Sequence, residues 1–161
     1  MDGQEVERKW LVAEVPGEVL GTEGEPIEQG YLAIEADGGE VRLRRRAGRC
    51  FLTTKSGHGL VRRELEIEIA PEQFDVLWPA TDGRRLEKTR RVVELSDGRL
   101  SVELDEYGGG LAGLRVAEVE FPDEDSARSF RPPAWFADEV TDRGEYRNRS
   151  LAVRGTPPAA E

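Results

Sequence analysis

The chain has little of what builds covalent staples or soft-metal sites. One cysteine (Cys50), one histidine (His58) and one methionine occur in 161 residues. A disulfide framework, a Cys-x-x-Cys zinc site and a two-histidine metal motif are excluded. His58 sits between Gly57 and Gly59, so the pair reads as a turn histidine and a packed cysteine rather than a catalytic dyad. Long apolar runs are missing too: no window of about 18 apolar residues occurs. The opening MDGQEVERKW carries no signal-like apolar segment. A cytoplasmic protein that does not engage membranes is the expectation. Basic excess is also absent. Asp and Glu outnumber Lys and Arg by 33 to 23, a formal charge of −10. That excludes a broad nucleic-acid surface but leaves room for a local basic pocket.

What is present is a run of strand patterns. Strands are expected near residues 4–12, 27–35, 39–46, 50–56, 61–69, 86–95, 99–106 and 114–121. Turn chemistry at Ala36-Asp37-Gly38-Gly39, Ser56-Gly57-His58-Gly59, Ser96-Asp97-Gly98 and Gly108-Gly109-Gly110 makes many of them antiparallel hairpins. Helical signals are fewer. Pro71 opens a helix to about Trp78, Asp123 caps a short one through Phe130, and a last helix covers 145–153. Residues 15–25 read as a loop with one helical turn. Residues 1–154 are expected to form one α+β domain, and 155–161, with two prolines, a disordered tail.

Residues two apart on a strand share a face. One face then collects Glu5, Glu7 and Lys9; Arg42 and Arg44; Thr53 and Lys55; Arg62, Glu64, Glu66 and Glu68; Lys88 and Arg90; Glu103 and Asp105; Glu118 and Glu120. Val6, Val41, Leu43, Leu65, Ile67, Ile69, Val102, Leu104, Val119 and Phe121 fall between them. Any single strand of this kind is an ordinary wet sheet face. The ensemble is not, because like charges repeat within strands and oppose folding unless the other sign intervenes. Eight antiparallel strands can close into a barrel. With the charges inside, its apolar wall needs helices and Trp78, Phe130, Trp135 and Phe136 as cover. Cations inside would grip phosphate oxygens, and carboxylates would hold Mg²⁺ or Mn²⁺, hard ions that prefer oxygen.

These residues carry a resemblance. Glu5-Val6-Glu7-Arg8-Lys9 is similar to the N-terminal Glu-x-Glu-x-Lys signature of the CYTH superfamily, the triphosphate tunnel metalloenzymes. The ordered series Arg42-x-Arg44, Thr53-x-Lys55, Arg62-x-Glu64-x-Glu66, Lys88-x-Arg90, Glu103-x-Asp105 and Glu118-x-Glu120 follows it. The connecting text Gln29-Gly30-Tyr31-Leu32, Val116 to Pro122, and Glu139-Val140-Thr141 followed by Tyr146 to Ala152 resembles bacterial members. The likeness spans about residues 4–153.

The resemblance implies a closed or nearly closed eight-stranded antiparallel β-barrel, a tunnel with outer helices. It implies a hydrolase that acts on inorganic triphosphate with Mg²⁺ or Mn²⁺. It also implies that Lys9, Arg42, Arg44, Lys55, Lys88 and Arg90 contact phosphate, with Arg62 either a further contact or a partner of Glu64 or Glu103. Glu5, Glu7, Glu118 and Glu120 are the first metal ligands implied, then Glu103 and Asp105; Glu5, Glu7 and Lys9 form the catalytic set. Glu64, Glu66 and Glu68 are read mainly as counter-charges for the cations. Tyr31 reads as a packed tyrosine, with substrate contact at a mouth as the alternative. The terminal helix can plug one end. A nucleoside or thiamine triphosphatase, an adenylate cyclase of the same fold and a non-catalytic polyphosphate-binding module are the alternatives. A homodimer through the outer wall is a further expectation.

Overall fold

The computed structural model describes residues 6–56, 63–96 and 98–158. Glu5, His58 and Arg62 lie outside them. Eight strands are present: β1 (Val6–Leu11), β2 (Glu25–Ile34), β3 (Glu40–Arg46), β4 (Arg49–Ser56), β5 (Arg63–Ile69), β6 (Arg85–Glu94), β7 (Ser101–Tyr107) and β8 (Arg115–Phe121). They form one antiparallel sheet in the order β1-β8-β7-β6-β2-β3-β4-β5. The tightest connection is Ala47-Gly48 between β3 and β4, where both residues have positive φ. A two-residue hairpin of type I′ requires that geometry, and it suits Gly48 better than Ala47.

Among the described residues four short helices accompany the sheet: α1 (Gly17–Leu20), α2 (Pro71–Leu77), α3 (Glu124–Ser129) and α4 (Asn148–Arg154). Pro71 opens α2, its ring filling a position whose N–H has no helical partner. Asp123 caps α3 by accepting from the Ser126 N–H at 2.7 Å. Both starts match the sequence reading. The last element begins later than expected: Gly144–Tyr146 is a 3₁₀ turn, and α4 starts at Asn148.

The outer face of the sheet is apolar and covered in two places. Trp10, Val102, Leu104, Ala117, Val119 and Phe121 pack against Ala127 of α3, Phe130, Trp135 and Phe136. Leu43, Cys50, Leu52 and Ile69 pack beneath Phe74, Leu77 and Trp78. The aromatic cover expected from the sequence is thus in place, and Cys50 is a packed core residue. No helix among the described residues is long and apolar enough to cross a membrane.

Of the closed and nearly closed barrels expected, the sheet forms the second, since hydrogen bonds do not close it among the described residues. β1 and β5 are the ends of the strand order and do not pair among the described residues. The second edge of β1 is already taken by residues 137–141, which form an antiparallel bridge at Trp10 and Glu139. Leu11 N–H donates to Asp138 O at 2.9 Å, Ala137 N–H to Leu11 O at 2.8 Å, and Val140 N–H to Lys9 O at 2.8 Å. A strand has two hydrogen-bonding edges; those of β1 are spent on β8 and on this strap.

Candidate active site

The register of the sheet puts the charged stripe on the inner face. Glu7 lies opposite Glu120, and Lys9 opposite Glu118, which lies opposite Glu103. Arg90 lies opposite Asp105, Arg42 opposite Thr53, and Thr53 opposite Glu66. Lys55 is next to Glu64. All the sequence-expected site residues that the structure describes therefore share one face.

Sequence reasoning did not anticipate that this face changes character along the strands. At one end it is apolar: Tyr31, Leu86, Tyr107, Leu111 and Val116 pack against Leu151 and Ala152 of α4. Tyr107 Oη donates to Asn148 Oδ1 at 2.7 Å, which fastens the helix there. Toward the other end exposure rises. On β6, Lys88 is 5% exposed and Val92, four residues on, 58%. The charged face is thus blind at the α4 end and open at the end holding Glu7, Glu103 and Glu120. α4 acts as the plug that the sequence suggested.

Deepest among the charges is a buried triad. Lys88 Nζ donates to Asp105 Oδ2 at 2.7 Å. Arg90 adds Nε to Oδ1 at 2.7 Å and Nη2 to Oδ2 at 2.8 Å. Asp105 is 4% exposed, and burial alone would raise its pKa. Lys88 and Arg90 outweigh that effect and hold the carboxyl below the usual carboxylate range. Burial pushes the Lys88 ammonium down, against the pull of Asp105. Both Asp105 oxygens are occupied, so this carboxylate serves as counter-ion to two cations and has little left for a metal. The third Arg90 nitrogen, Nη1, reaches Glu103 at 2.7 Å.

Nearer the open end is a cluster with an excess of carboxylate. Lys9 Nζ lies 3.3 Å from Glu7 Oε1 and 3.4 Å from Glu118 Oε2. Burial and a hydrogen bond with Glu7 push Glu118 up to about 7, despite Lys9. Burial also raises Glu103, with Glu118 adding to the shift and Arg90 opposing it. Lys9 is raised because Glu118 and Glu7 outweigh its own burial. Among the described residues no three acidic side chains converge as a ready-made metal cage. The donors are nevertheless hard oxygens under mutual repulsion, which suits a hard dication.

The other half of the face is basic. Arg44 Nη2 meets Glu66 Oε2 at 2.9 Å, and Thr53 Oγ1 donates to the same oxygen at 2.8 Å. Lys55 lies 3.6 Å from Glu64, and Arg49 pairs with Glu68 at 2.6 Å near the rim. Counter-charge is the role the sequence gave these three glutamates. Burial and the neighbouring Arg42 lower the Arg44 pKa. The Nε atoms of Arg42 and Arg44 are buried with no hydrogen-bond partner. A buried unpaired donor costs about 1–3 kcal/mol, so two on adjacent arginines point to a missing anion. Tyr31 is packed, as expected; burial pushes its hydroxyl up to about 12, with Arg42 opposing.

One aromatic was missed. Phe51 lies opposite Arg44 on the inner face, with the Arg44 and Arg49 guanidinium carbons 5.9 and 5.3 Å from its ring centre. Its place in the alternating pattern of β4 was the available signal.

Comparison with known proteins agrees with this geometry. The CYTH domain family model matches residues 3–149. An inorganic triphosphatase of Nitrosomonas europaea is 49% identical over 150 residues, covering 92% of this chain and 97% of that protein. An inorganic triphosphatase of Acetivibrio thermocellus is 32% identical over 151 residues, covering 92% and 93%. A crystal structure of an inorganic triphosphatase superposes with a TM-score of 0.76 at 46% identity, covering 92% of this chain and 94% of that one. With the family model matching nearly the whole length and the stripe assembled on one concave face, this chain belongs to the CYTH domain family.

Proposed function

We propose that the protein hydrolyses inorganic triphosphate to pyrophosphate and phosphate with a divalent metal ion, Mg²⁺ or Mn²⁺. The observation that carries the reading is the pair of buried, unpartnered Nε donors on Arg42 and Arg44, on the same face as carboxylates crowded enough to raise Glu118. The relatives named inorganic triphosphatase support it.

A linear triphosphate lies with its oxygens against Arg42, Arg44 and Lys55 on one side and Lys9 and Arg90 on the other. Lys88 sits at the blind end. Arginine suits bidentate phosphate contacts; lysine acts as a point charge. Glu7, Glu118 and Glu120, with Glu5 from the sequence motif, hold the metal. When bound there, the ion neutralises phosphate charge and acidifies a water. Water adds to the terminal phosphorus and gives up a proton to solvent, the bridging P–O bond breaks, and pyrophosphate leaves with the electron pair. The cations are already in place and need no reorganisation as charge shifts to the leaving oxygen. Glu103 and Asp105 hold Arg90 and Lys88 in position.

Phe51 favours a second reading, in which an organic triphosphate stacks its base or ring at the open end. A phosphate-release assay on triphosphate, pyrophosphate, ATP and thiamine triphosphate decides between them. The proposal expects triphosphate to lead in kcat/KM with Mg²⁺ or Mn²⁺ present, and activity to vanish in excess chelator. Faster turnover of ATP, or cyclic AMP as its product, would replace it.

A further inference from the structure

The segment Glu139-Val140-Thr141 stood out in the sequence, and the structure sets it beside β1. Val140 and Thr141 bond to the backbone of β1, and Glu139 to the Arg8 side chain. Lys9 is the residue whose ammonium sits between Glu7 and Glu118, and both of its backbone groups are held by this strap. Its carbonyl accepts from the Val140 N–H at 2.8 Å, and its N–H donates to Thr141 Oγ1 at 3.1 Å. The second link is made by a side chain.

That side chain is itself fixed. Thr141 Oγ1 donates to Glu139 Oε1 at 2.7 Å, so its lone pairs are left to face Lys9. Glu139 is clamped by Arg8, whose Nε and Nη2 reach its two oxygens at 2.7 Å each. Arg8 Nη1 also donates to the Ala127 carbonyl at 2.7 Å, and its guanidinium lies 4.8 Å from the centre of the Trp10 ring. Val140, at 1% exposed, anchors the strap in the core. The chain of contacts runs from the end of α3 through Arg8, Glu139 and Thr141 to the Lys9 amide. It crosses from the outer wall to the inner stripe at the strand carrying Glu7 and Lys9.

We infer that Thr141 is a positioning residue for the reaction: its hydroxyl, oriented by the Arg8–Glu139 pair, sets the place of Lys9 and hence of the Lys9–Glu7–Glu118 cluster. The inference rests on the triphosphatase reading only for its kinetic arm. Displacement of a site residue by about 1 Å can cost a hundredfold in rate.

Thr141→Val removes the oxygen and keeps the shape; Thr141→Ser keeps the oxygen. Three readouts separate positioning from bulk stability: amide exchange at Lys9, triphosphate affinity without metal, and the split of kcat from KM. The Val variant is expected to exchange the Lys9 amide at least about fivefold faster, the equivalent of one hydrogen bond removed. Its kcat is expected to fall about ten- to a hundredfold, with KM and melting temperature little changed and metal-free affinity reduced. The Ser variant restores each readout to near the wild-type value. Thr141→Ala takes the place of the Val variant if that one does not fold. Unchanged Lys9 exchange in the Val or Ala variant overturns the inference, as does a Ser variant that falls as far. Should the wild-type protein release no phosphate from triphosphate, the triphosphatase reading fails, while amide exchange still decides the role of Thr141.

Discussion

The two halves of the inner face solve the problem of gathered charge in opposite ways. Across β6 and β7, cations and carboxylates neutralise one another, and Asp105 answers two cations at once, while toward β8 and β1 carboxylate is in excess around Lys9. The outer wall behind β1, β7 and β8 is the largest core cluster, and the strap secures the edge at β1. Across β3, β4 and β5 the arginines keep buried donors unused, and β5 is a largely exposed edge strand with Leu65 62% exposed. The first half meets its buried cations with carboxylate. The second holds its arginines in a state that an anion would complete. Polar satisfaction marks structure, and its absence in a buried place marks binding.

Breaking the satisfied half should have the largest effect. Asp105→Asn leaves Lys88 and Arg90 without their shared counter-ion, and about 3–5 kcal/mol of stability is expected to be lost at pH 7 by urea unfolding. Because the Asp105 carboxyl is held below its ordinary value, its contribution is present above that value and lost as pH falls. The gap between wild type and variant should therefore narrow below about pH 4. A gap that stays constant would mean Asp105 is not ionised in the fold.

Breaking the unsatisfied half should leave the fold and damage binding. Arg44→Ala is expected to lower kcat/KM for triphosphate about ten- to a hundredfold, the worth of one charge-assisted hydrogen bond to phosphate. Its stability should change by less than about 1 kcal/mol, since the Glu66 pair it breaks is partly solvated. Equal losses of stability and activity would erase the distinction between the halves.

Glu118→Gln sharpens the comparison from the carboxylate side. A carboxyl raised from 4.5 to about 7 favours the fold in its protonated form, and that advantage is lost as pH rises through this interval, so that none remains at pH 8. The Gln variant should be more stable than the metal-free wild type at pH 8, by about 1–2 kcal/mol, while losing metal-dependent turnover. A variant that is less stable at pH 8 would show that Lys9, not the crowded carboxylates, governs the cluster. The smallest effect is local. Ala47→Gly relieves the positive φ in the β3–β4 turn and should raise stability by about 0.5–1 kcal/mol without touching activity.

The sequence disclosed the strands because their signal is local. Alternation and turn residues placed all eight to within about two residues at each end. It disclosed the charged face for the same reason: a period of two decides the side. What it could not disclose depends on partners far along the chain. Asp105 looks like any carboxylate on a stripe, and only the tertiary fold gives both of its oxygens to Lys88 and Arg90. Tyr107 and Val116 share a face with the charges, yet they belong to the plug because α4 returns there. The lack of β1–β5 pairing follows from residues 137–141, more than a hundred positions away and too irregular to read as a strand.

Titration calorimetry of triphosphate into the Arg44→Ala and Glu118→Gln variants, with and without Mg²⁺, tests the division of labour most directly. The account predicts that Arg44→Ala weakens binding in both conditions. It predicts that Glu118→Gln binds at least as tightly as wild type without metal and gains little when Mg²⁺ is added. Weakened metal-free binding in Glu118→Gln together with unchanged binding in Arg44→Ala would contradict it.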